Sequence, residues 1–124
     1  MIRCGIDMIE IQRVSDGIAR LGEQFLTRFF TPAEREECAD KPQRLAARIA
    51  AKEAVAKALG TGIGDVSWRE IEVLSDDRRR PVLHLHGAAA QLAAELGLTE
   101  WDISLTHTDT YASAVAVAHR PQAL

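Results

Sequence analysis

The chain has 124 residues, of which 47% are hydrophobic and 27% are charged. These proportions are typical of an ordinary globular protein, and the length predicts a single domain over residues 1–124. The formal net charge of -3 would repel a polyphosphate backbone, so it argues against a nucleic-acid-binding function.

The first predicted element is a short strand at the N-terminus. Apolar residues alternate there with Arg3, Gly5 and Asp7, and this period of two gives the strand one apolar face and points Asp7 to the other. The apolar positions are Ile2, Cys4, Ile6 and Met8.

The same segment bears on where the protein acts. Asp7 and Glu10 interrupt the apolar stretch that a signal peptide needs, and no window approaches the roughly 18 apolar residues of a membrane span. Cys4 and Cys38 lie far apart and form no zinc-type motif, which is typical of reduced thiols. We therefore expect a cytoplasmic protein that does not bind membranes.

Three helices are predicted next. Ser15 can cap an amphipathic helix whose apolar residues recur at helical spacing through Phe29, and Thr31-Pro-Ala-Glu34 matches a capping box that starts a second, short helix. The longest predicted helix is alanine-rich and runs from about Gln43 to Leu59, with Gly60 as its C-cap.

The rest of the chain alternates strands and one helix. We predict a loop at Gly60–Gly64, a hairpin, a third alanine-rich helix over Gly87–Gly97 and two final strands. The hairpin joins Ile71–Val73 to Val82–Leu85 through Ser75–Arg80, and the final strands, Ile103–His107 and Tyr111–Val117, flank Thr108–Thr110. The predicted class is α+β, a mainly antiparallel sheet packed with helices.

One lysine interrupts the apolar stripe of the long helix. Leu45, Ile49, Ala56 and Leu59 recur at one-turn steps, and Lys52 lies in the middle of them. Either the stem of Lys52 passes the core while its ammonium reaches water, or the ammonium faces an anion in a cleft.

Two carboxylates are candidates for a metal site. A strand end carrying Asp7 and a helix carrying Glu53 can bring two oxygen ligands to one Mg²⁺ while leaving room for water and substrate phosphates. Two unrelated carboxylates are the alternative, since 46 positions separate them. Glu53 and Lys57 are spaced as an ordinary surface pair one helical turn apart.

Three weaker signals have simple structural alternatives. His84 and His86 lie on one strand face at a spacing that metal sites use, but no third ligand is nearby. Arg78–Arg80 is either a solvated turn or a phosphate contact. The Gly60–Gly64 loop has the flexibility of a phosphate-binding loop, but it lacks the lysine and hydroxyl of a P-loop.

Four segments together carry a specific resemblance. In order, length and spacing they are similar to the motifs of bacterial holo-[acyl-carrier-protein] synthases, which are 4'-phosphopantetheinyl transferases. The segments are Gly5-Ile-Asp-Met-Ile-Glu-Ile11, Arg28-Phe-Phe-Thr-Pro-Ala-Glu34, Arg48-Ile-Ala-Ala-Lys-Glu-Ala-Val-Ala-Lys-Ala-Leu-Gly-Thr-Gly62 and Ser104-Leu-Thr-His107.

The resemblance implies an activity and a set of site residues. The reaction moves 4'-phosphopantetheine from coenzyme A to a serine of apo acyl carrier protein, in fatty acid biosynthesis. Asp7 and Glu53 would bind Mg²⁺, and Lys57 would reach the phosphates. Other coenzyme A contacts implied are Arg48, Lys52, Gly60, Thr61, Gly62 and His107. Glu53 and a metal-bound water are both candidates for accepting the serine proton.

The resemblance also implies partners. It predicts a homotrimer with active sites between neighbouring subunits, and an acidic carrier protein that docks on basic residues of the first helix. Our candidates are Arg13, Arg20 and Arg28. The alternatives are a non-catalytic domain that binds coenzyme A or a carrier protein, and another Mg²⁺-dependent enzyme that acts on a nucleotide.

Overall fold

Helices cluster in the first half of the chain and strands in the second. The computed structural model describes residues 1–122, so the last two residues of the predicted domain lie outside the described part. The elements are β1 (Ile2–Glu10), α1 (Ile11–Leu21), α2 (Glu23–Phe29), α3 (Pro32–Cys38), α4 (Pro42–Leu59), a 3₁₀ turn (Trp68–Glu70), β2 (Ile71–Ser75), β3 (Pro81–Leu85), α5 (Gly87–Leu96), β4 (Glu100–His107) and β5 (Tyr111–His119).

The strands form two antiparallel sheets. In the larger sheet β5 lies between β1 and β4, and β2 pairs with β3 in a separate hairpin. The predicted class and the antiparallel pairing are confirmed. Among the described helices, none is both long enough and apolar enough to cross a membrane.

Helix α4 is the centre of the packing. It contributes to both clusters of buried apolar residues, and the face of β5 that it covers consists of small side chains. These are Ala112, Ala114, Ala116 and Ala118, all of which are buried. Because neither surface carries bulky groups here, helix and sheet approach closely.

Strand β1 alternates as predicted, but its apolar face is the exposed one. Ile2, Ile6 and Met8 are 70%, 65% and 63% exposed, whereas Gly5 is buried and Asp7 is partly buried. The reason is that α4 packs on the Gly5 side of the strand. The sheet therefore has an apolar face that the described part of the chain leaves uncovered.

The start of the first helix was predicted incorrectly. Helix α1 begins at Ile11, directly after β1, and Ser15 lies inside it. The amide of Ile11 donates to the carbonyl of Thr110 (2.9 Å), which ties the helix start to the turn between β4 and β5. Gly22 then ends α1 with a φ of 54° and separates it from α2, so one predicted helix is two.

The other predicted helix ends agree with the structure. The side chains of Thr31 and Glu34 form the reciprocal capping box at the start of α3. Gly60 and Gly97 follow α4 and α5 in the left-handed conformation, with φ of 78° and 72°. These local signals were readable because their chemistry depends on a few neighbouring residues.

Candidate functional site

Asp7 and Glu53 come together because β1 lies directly against α4. A Cβ atom on Gly5 would be 1.9 Å from the carbonyl oxygen of Ala54, so only glycine allows this approach. Asp7 follows Gly5 by two residues on the same side of β1, and Glu53 precedes Ala54 on α4. The close contact therefore sets the spacing between the two carboxylates.

Lys57 lies one turn beyond Glu53 and reaches across to β1. Its ammonium donates to the carbonyl of Ile6 (2.8 Å) and to Oδ1 of Asp7 (3.2 Å). The side chain remains 52% exposed, and an ammonium has three hydrogens. The third is thus free to bind an anion in front of the two carboxylates.

The charges at the two carboxylates suit a divalent cation. Burial raises the pKa of Glu53, the negative charge of Asp7 raises it further, and Lys57 opposes both effects. Burial is the larger of the two causes, and the charge of Asp7 adds to it. Two carboxylates with open positions for water and phosphate are a typical Mg²⁺ donor set. Within residues 1–122 no group of three or more His, Cys, Asp or Glu side chains could hold a metal.

A cavity of about 410 Å³ opens beside these groups. Asp7, Glu53 and Arg13 line it, and its remaining wall is mostly apolar and aromatic. Phe29 is at the centre of that wall, with its ring 4.6 Å from Phe25 and 4.8 Å from Trp68 between centroids. The cavity therefore combines a charged end with an apolar side.

Lys52 does not have the position expected of a nucleotide ligand. Its side chain is 0% exposed and its ammonium donates to Oε1 of Glu34 (2.8 Å) and to the carbonyls of Trp68 (2.9 Å) and Ile71 (2.6 Å). All three hydrogens are used within the chain. Both alternatives considered for this lysine, and its predicted contact with coenzyme A, are thus corrected, because Glu34 neutralises it inside the core.

Arg48 lies on a different side of α4. Its guanidinium donates to the carbonyl of Val73 (3.0 Å) and to Oγ of Ser75 (3.2 Å) and is largely buried. It lines a second cavity of about 510 Å³ together with Arg44 and Arg79. Glu37 and Asp76 also line this cavity, and Glu37 lies 3.5 Å from the guanidinium of Arg48. Three arginines against two carboxylates leave a net positive lining, which favours an anionic ligand.

The remaining predicted coenzyme A contacts are at the surface. Gly60, Thr61 and Gly62 follow α4, and the hydroxyl of Thr61 donates to Asp65 (2.7 Å). His107 is exposed at the end of β4. It pairs with Ala112 of β5, which pairs with Ile9 of β1, so these three residues share one face of the sheet. Asp7 is two residues before Ile9 and therefore lies on the same face.

The family of this chain follows from comparison with known proteins. Residues 3–116 match the 4'-phosphopantetheinyl transferase superfamily. The chain belongs to this superfamily. The family predicted from the four motifs, and the prediction of an enzyme of this transferase type, are confirmed.

Three similar proteins are holo-[acyl-carrier-protein] synthases. The chain is 48% identical to the one from Herpetosiphon aurantiacus, over 94% of this chain and 98% of the relative. The Helicobacter pylori holo-[acyl-carrier-protein] synthase in complex with coenzyme A has a TM-score of 0.86 at 32% identity, covering 96% of this chain and 100% of that one. For the Neisseria meningitidis enzyme the TM-score is 0.87 at 33% identity, with 96% and 99% covered.

The transferase presents three exposed arginines on its first two helices. Arg13 and Arg20 are seven residues apart on α1, so they share a face, and Arg28 follows on α2. The guanidinium of Arg28 lies over the ring of Phe29 at 5.5 Å. Arg13 also lines the site cavity, so this basic face reaches the mouth of the site.

Of the two histidines on β3 and after it, His84 and His86, the second contacts a carboxylate. Nε2 of His86 lies 3.1 Å from Oε1 of Glu72, and His84 is exposed on the same strand. In the turn Arg78–Arg80, Asp76 accepts from the backbone amides of Arg78 (2.8 Å) and Arg80 (2.9 Å). The first feature is a histidine–carboxylate contact at the surface. In the second, Asp76 holds the backbone of the turn, and Arg79 of that turn lines the second cavity.

Sequence reasoning missed four residues around the transferase site. Gly5, Phe29 and Trp68 shape the cavity, and Glu34 was recognised only as a capping residue. A buried lysine requires a partner, so Lys52 in an apolar stripe was itself a signal for a missing acid. The sequence does not say which of the 18 acidic residues supplies it.

Proposed function

We propose that this chain is a holo-[acyl-carrier-protein] synthase. It transfers 4'-phosphopantetheine from coenzyme A to a serine of apo acyl carrier protein and so supplies holo carrier protein for fatty acid biosynthesis in the cytoplasm. The observation that carries the proposal is that Asp7 and Glu53 line one cavity, with the ammonium of Lys57 hydrogen-bonded to Asp7 beside them. Membership of the transferase superfamily restricts which phosphoryl chemistry such a cluster performs.

Asp7 and Glu53 are the proposed ligands of Mg²⁺. The fit is chemical. Burial first and the charge of Asp7 second raise the pKa of Glu53, so a nearby cation would favour its ionised form, and one or two carboxylates plus phosphate oxygens satisfy Mg²⁺. When bound, the ion supplies positive charge that polarises a phosphoryl oxygen and neutralises the leaving phosphate. Asp7 is held for this role by Lys57, and its backbone carbonyl accepts from the hydroxyl of Ser113 (2.9 Å).

Lys57 is the proposed phosphate-binding residue. In the reaction the serine oxygen forms a bond to the phosphorus on the pantetheine side of the pyrophosphate. The bond from that phosphorus to the bridging oxygen breaks, and adenosine 3',5'-bisphosphate leaves with the electron pair. The serine hydroxyl gives its proton to Glu53 or to a water molecule. Lys57 already points at the carboxylate pair, so its free hydrogen can bind the oxygen that gains charge.

We propose that the arginine cavity receives the second anionic part of coenzyme A, its 3'-phosphate. Arg48 and Lys57 are nine residues apart on α4, so they point about 180° apart around the helix axis. One coenzyme A molecule that contacts both Lys57 and the arginine cavity would therefore bind two subunits. Lys57 would come from one subunit, and a neighbouring subunit would supply Arg44, Arg48 and Arg79. Gly60–Gly62 and His107 remain proposed contacts near the coenzyme.

The proposed assembly is a homotrimer. Support comes from the uncovered apolar face of β1, where Ile2, Ile6 and Met8 are mostly exposed, and from Val117 of the adjoining strand, which is 39% exposed. A contiguous apolar face of this kind is typical of a subunit interface. A second and third copy of this chain are the proposed occupants, as the shared site requires.

The carrier protein is proposed to dock on Arg13, Arg20 and Arg28. Its serine has to reach the carboxylate cluster, and Arg13 belongs both to the basic face and to the cavity. An acidic partner steered by the three arginines would therefore arrive with its serine at the site.

One experiment tests the activity and its two alternatives. The protein is incubated with coenzyme A, Mg²⁺ and apo acyl carrier protein, and the carrier protein is weighed by mass spectrometry. We expect its mass to increase by one phosphopantetheine group, with Asp7→Ala as the inactive control. Binding without a mass change would indicate a non-catalytic domain, and nucleotide turnover independent of the carrier protein would indicate a different enzyme.

A further inference from the structure

Lys52 and Glu34 form an ion pair that is completely enclosed by protein. Both side chains are 0% exposed, and Lys52 Nζ is 2.8 Å from Glu34 Oε1. Glu34 also accepts from the backbone amides of Thr31 and Val73, each at 2.9 Å. Within the described residues no buried side-chain nitrogen or oxygen lacks a partner, so the pair is fully hydrogen-bonded.

The pair connects three separate parts of the chain. Glu34 belongs to the first turn of α3, Lys52 to the middle of α4, and the carbonyls of Trp68 and Ile71 to the 3₁₀ turn and the start of β2. One ammonium group thus fixes the position of the 3₁₀ turn relative to α4. Because Lys52 directly precedes Glu53, this is the same turn of α4 that carries the site carboxylate.

Stability alone is a weak reason for such a pair. Removing two charges from water costs several kcal/mol per ion in general, and apolar residues of similar volume often replace a buried ion pair at no loss of stability. Burial lowers the pKa of Lys52, and the charge of Glu34 opposes this. What apolar residues cannot supply is a directed bond to two particular carbonyls.

The carbonyl of Trp68 leads directly to the site. The Trp68 side chain lines the same cavity as Asp7 and Glu53, and its ring packs on Phe29, which precedes the α3 capping box by two residues. Both ends of the aromatic wall are therefore attached to the buried pair. One end is attached through the Lys52–Trp68 bond and the other through Thr31 and Glu34.

We propose that Lys52, held by Glu34, is a positioning residue that fixes the aromatic wall formed by Phe29 and Trp68 relative to Glu53. The wall and Glu53 together then define the width of the cavity that binds coenzyme A. This inference rests on the proposed function. It assigns Lys52 no contact with substrate, so its loss should act on the KM for coenzyme A more than on kcat.

The test uses the double variant Glu34→Gln/Lys52→Met in the full chain. Glutamine keeps an acceptor for one of the two backbone amides, which the carboxylate binds on separate oxygens. Methionine keeps the volume of the lysine stem while removing its charge and hydrogen bonds. We expect the KM for coenzyme A to rise about tenfold, since a misplaced wall weakens binding in ground and transition states alike. We expect kcat and the KM for carrier protein to change less than threefold, and the Trp68 indole resonance to shift.

Leu98→Ala is the matched control. Leu98 is buried and does not line the cavity, so this variant loses stability without moving the wall. A folded double variant with the wild-type KM for coenzyme A, or a control with the same tenfold rise, would overturn the proposal.

If the double variant does not fold, Trp68→Leu decides. This variant changes the wall directly and leaves the ion pair in place. A raised KM for coenzyme A supports the wall's role, and an unchanged KM overturns it. Failure of the proposed function is separate, because the wild type itself would then transfer no phosphopantetheine.

Discussion

Replacing Gly5 with alanine should separate the two halves of the site. Gly5 does not have a positive φ, so alanine fits the backbone of β1, and the only obstacle is space. The new Cβ would lie 1.9 Å from the carbonyl oxygen of Ala54 and 3.0 Å from the amide nitrogen of Ala58. Both contacts are backbone atoms of α4, which cannot rotate away as a side chain does.

The size of the effect follows from that distance. Carbon atoms in contact normally lie about 3.5–4.0 Å from their neighbours, so β1 and α4 must move apart by roughly 1.5 Å. Overpacking of this kind costs about 1–3 kcal/mol of unfolding free energy, of which the reduced freedom of the unfolded chain offsets about 0.4–1 kcal/mol. Asp7 and Glu53 move apart with their elements, and a displacement of about 1 Å at a catalytic site can lower the rate about 100-fold.

The assay compares two destabilised variants. Gly5→Ala and Gly97→Ala are measured for urea unfolding and for kcat/KM of phosphopantetheine transfer. Gly97 has a φ of 72°, so alanine there costs about 1–2 kcal/mol of backbone strain, but it ends α5 and leaves β1 and α4 in place. We expect only Gly5→Ala to lose activity. A Gly5→Ala enzyme with nearly wild-type kcat/KM, or equal losses in both variants, would refute the reasoning.

Four further predictions concern charge and assembly. Glu53→Gln should be inactive yet stabilise the metal-free protein, because the raised pKa of Glu53 means that the folded state disfavours its ionised form. The gain in unfolding free energy should be full above that raised pKa and absent below the ordinary carboxylate pKa. Urea unfolding at several pH values measures it. NMR titration of Asp7→Asn should give a lower pKa for Glu53, still above its usual value because burial remains. Arg20→Glu should raise the KM for carrier protein and weaken its salt dependence, whereas Arg78→Glu should not; the opposite pattern would move the docking surface to the hairpin turn. Light scattering should give a mass of three chains, reduced by Ile6→Glu, and a fully active monomer would contradict the shared site.

The sequence predicted those features of the fold that depend on neighbouring residues. The capping box at Thr31, the C-cap at Gly60 and the β2–β3 hairpin all lie where they were expected. The start of α1 was wrong because Ser15 is a good cap in isolation, whereas the contact of Ile11 with Thr110 is a tertiary one. Local chemistry cannot show such a contact.

The site was predicted in part for a similar reason. Asp7 and Glu53 were candidate ligands from their donor chemistry and were assigned as a pair by the family motifs, and the structure brings them to one cavity. Lys52 belongs to the same motif, but its environment depends on Glu34, 18 positions earlier. A motif conveys which residues recur together, and it does not say whether a side chain faces the ligand or the core.

The alanine layer of β5 has a consequence for how such a site can diversify. Ala114 pairs with Asp7 on one side and with Leu105 on the other, and an alanine has no side-chain torsion with which to absorb a change in its surroundings. A larger residue in this layer would push α4 away from the sheet and move Glu53 with it. The alanine layer, which is the floor of the site, therefore tolerates almost no substitution. The outer wall, built from aromatic side chains on α2 and the 3₁₀ turn, has no such restriction. New substrate preferences in this architecture should therefore evolve through the wall while the floor stays constant.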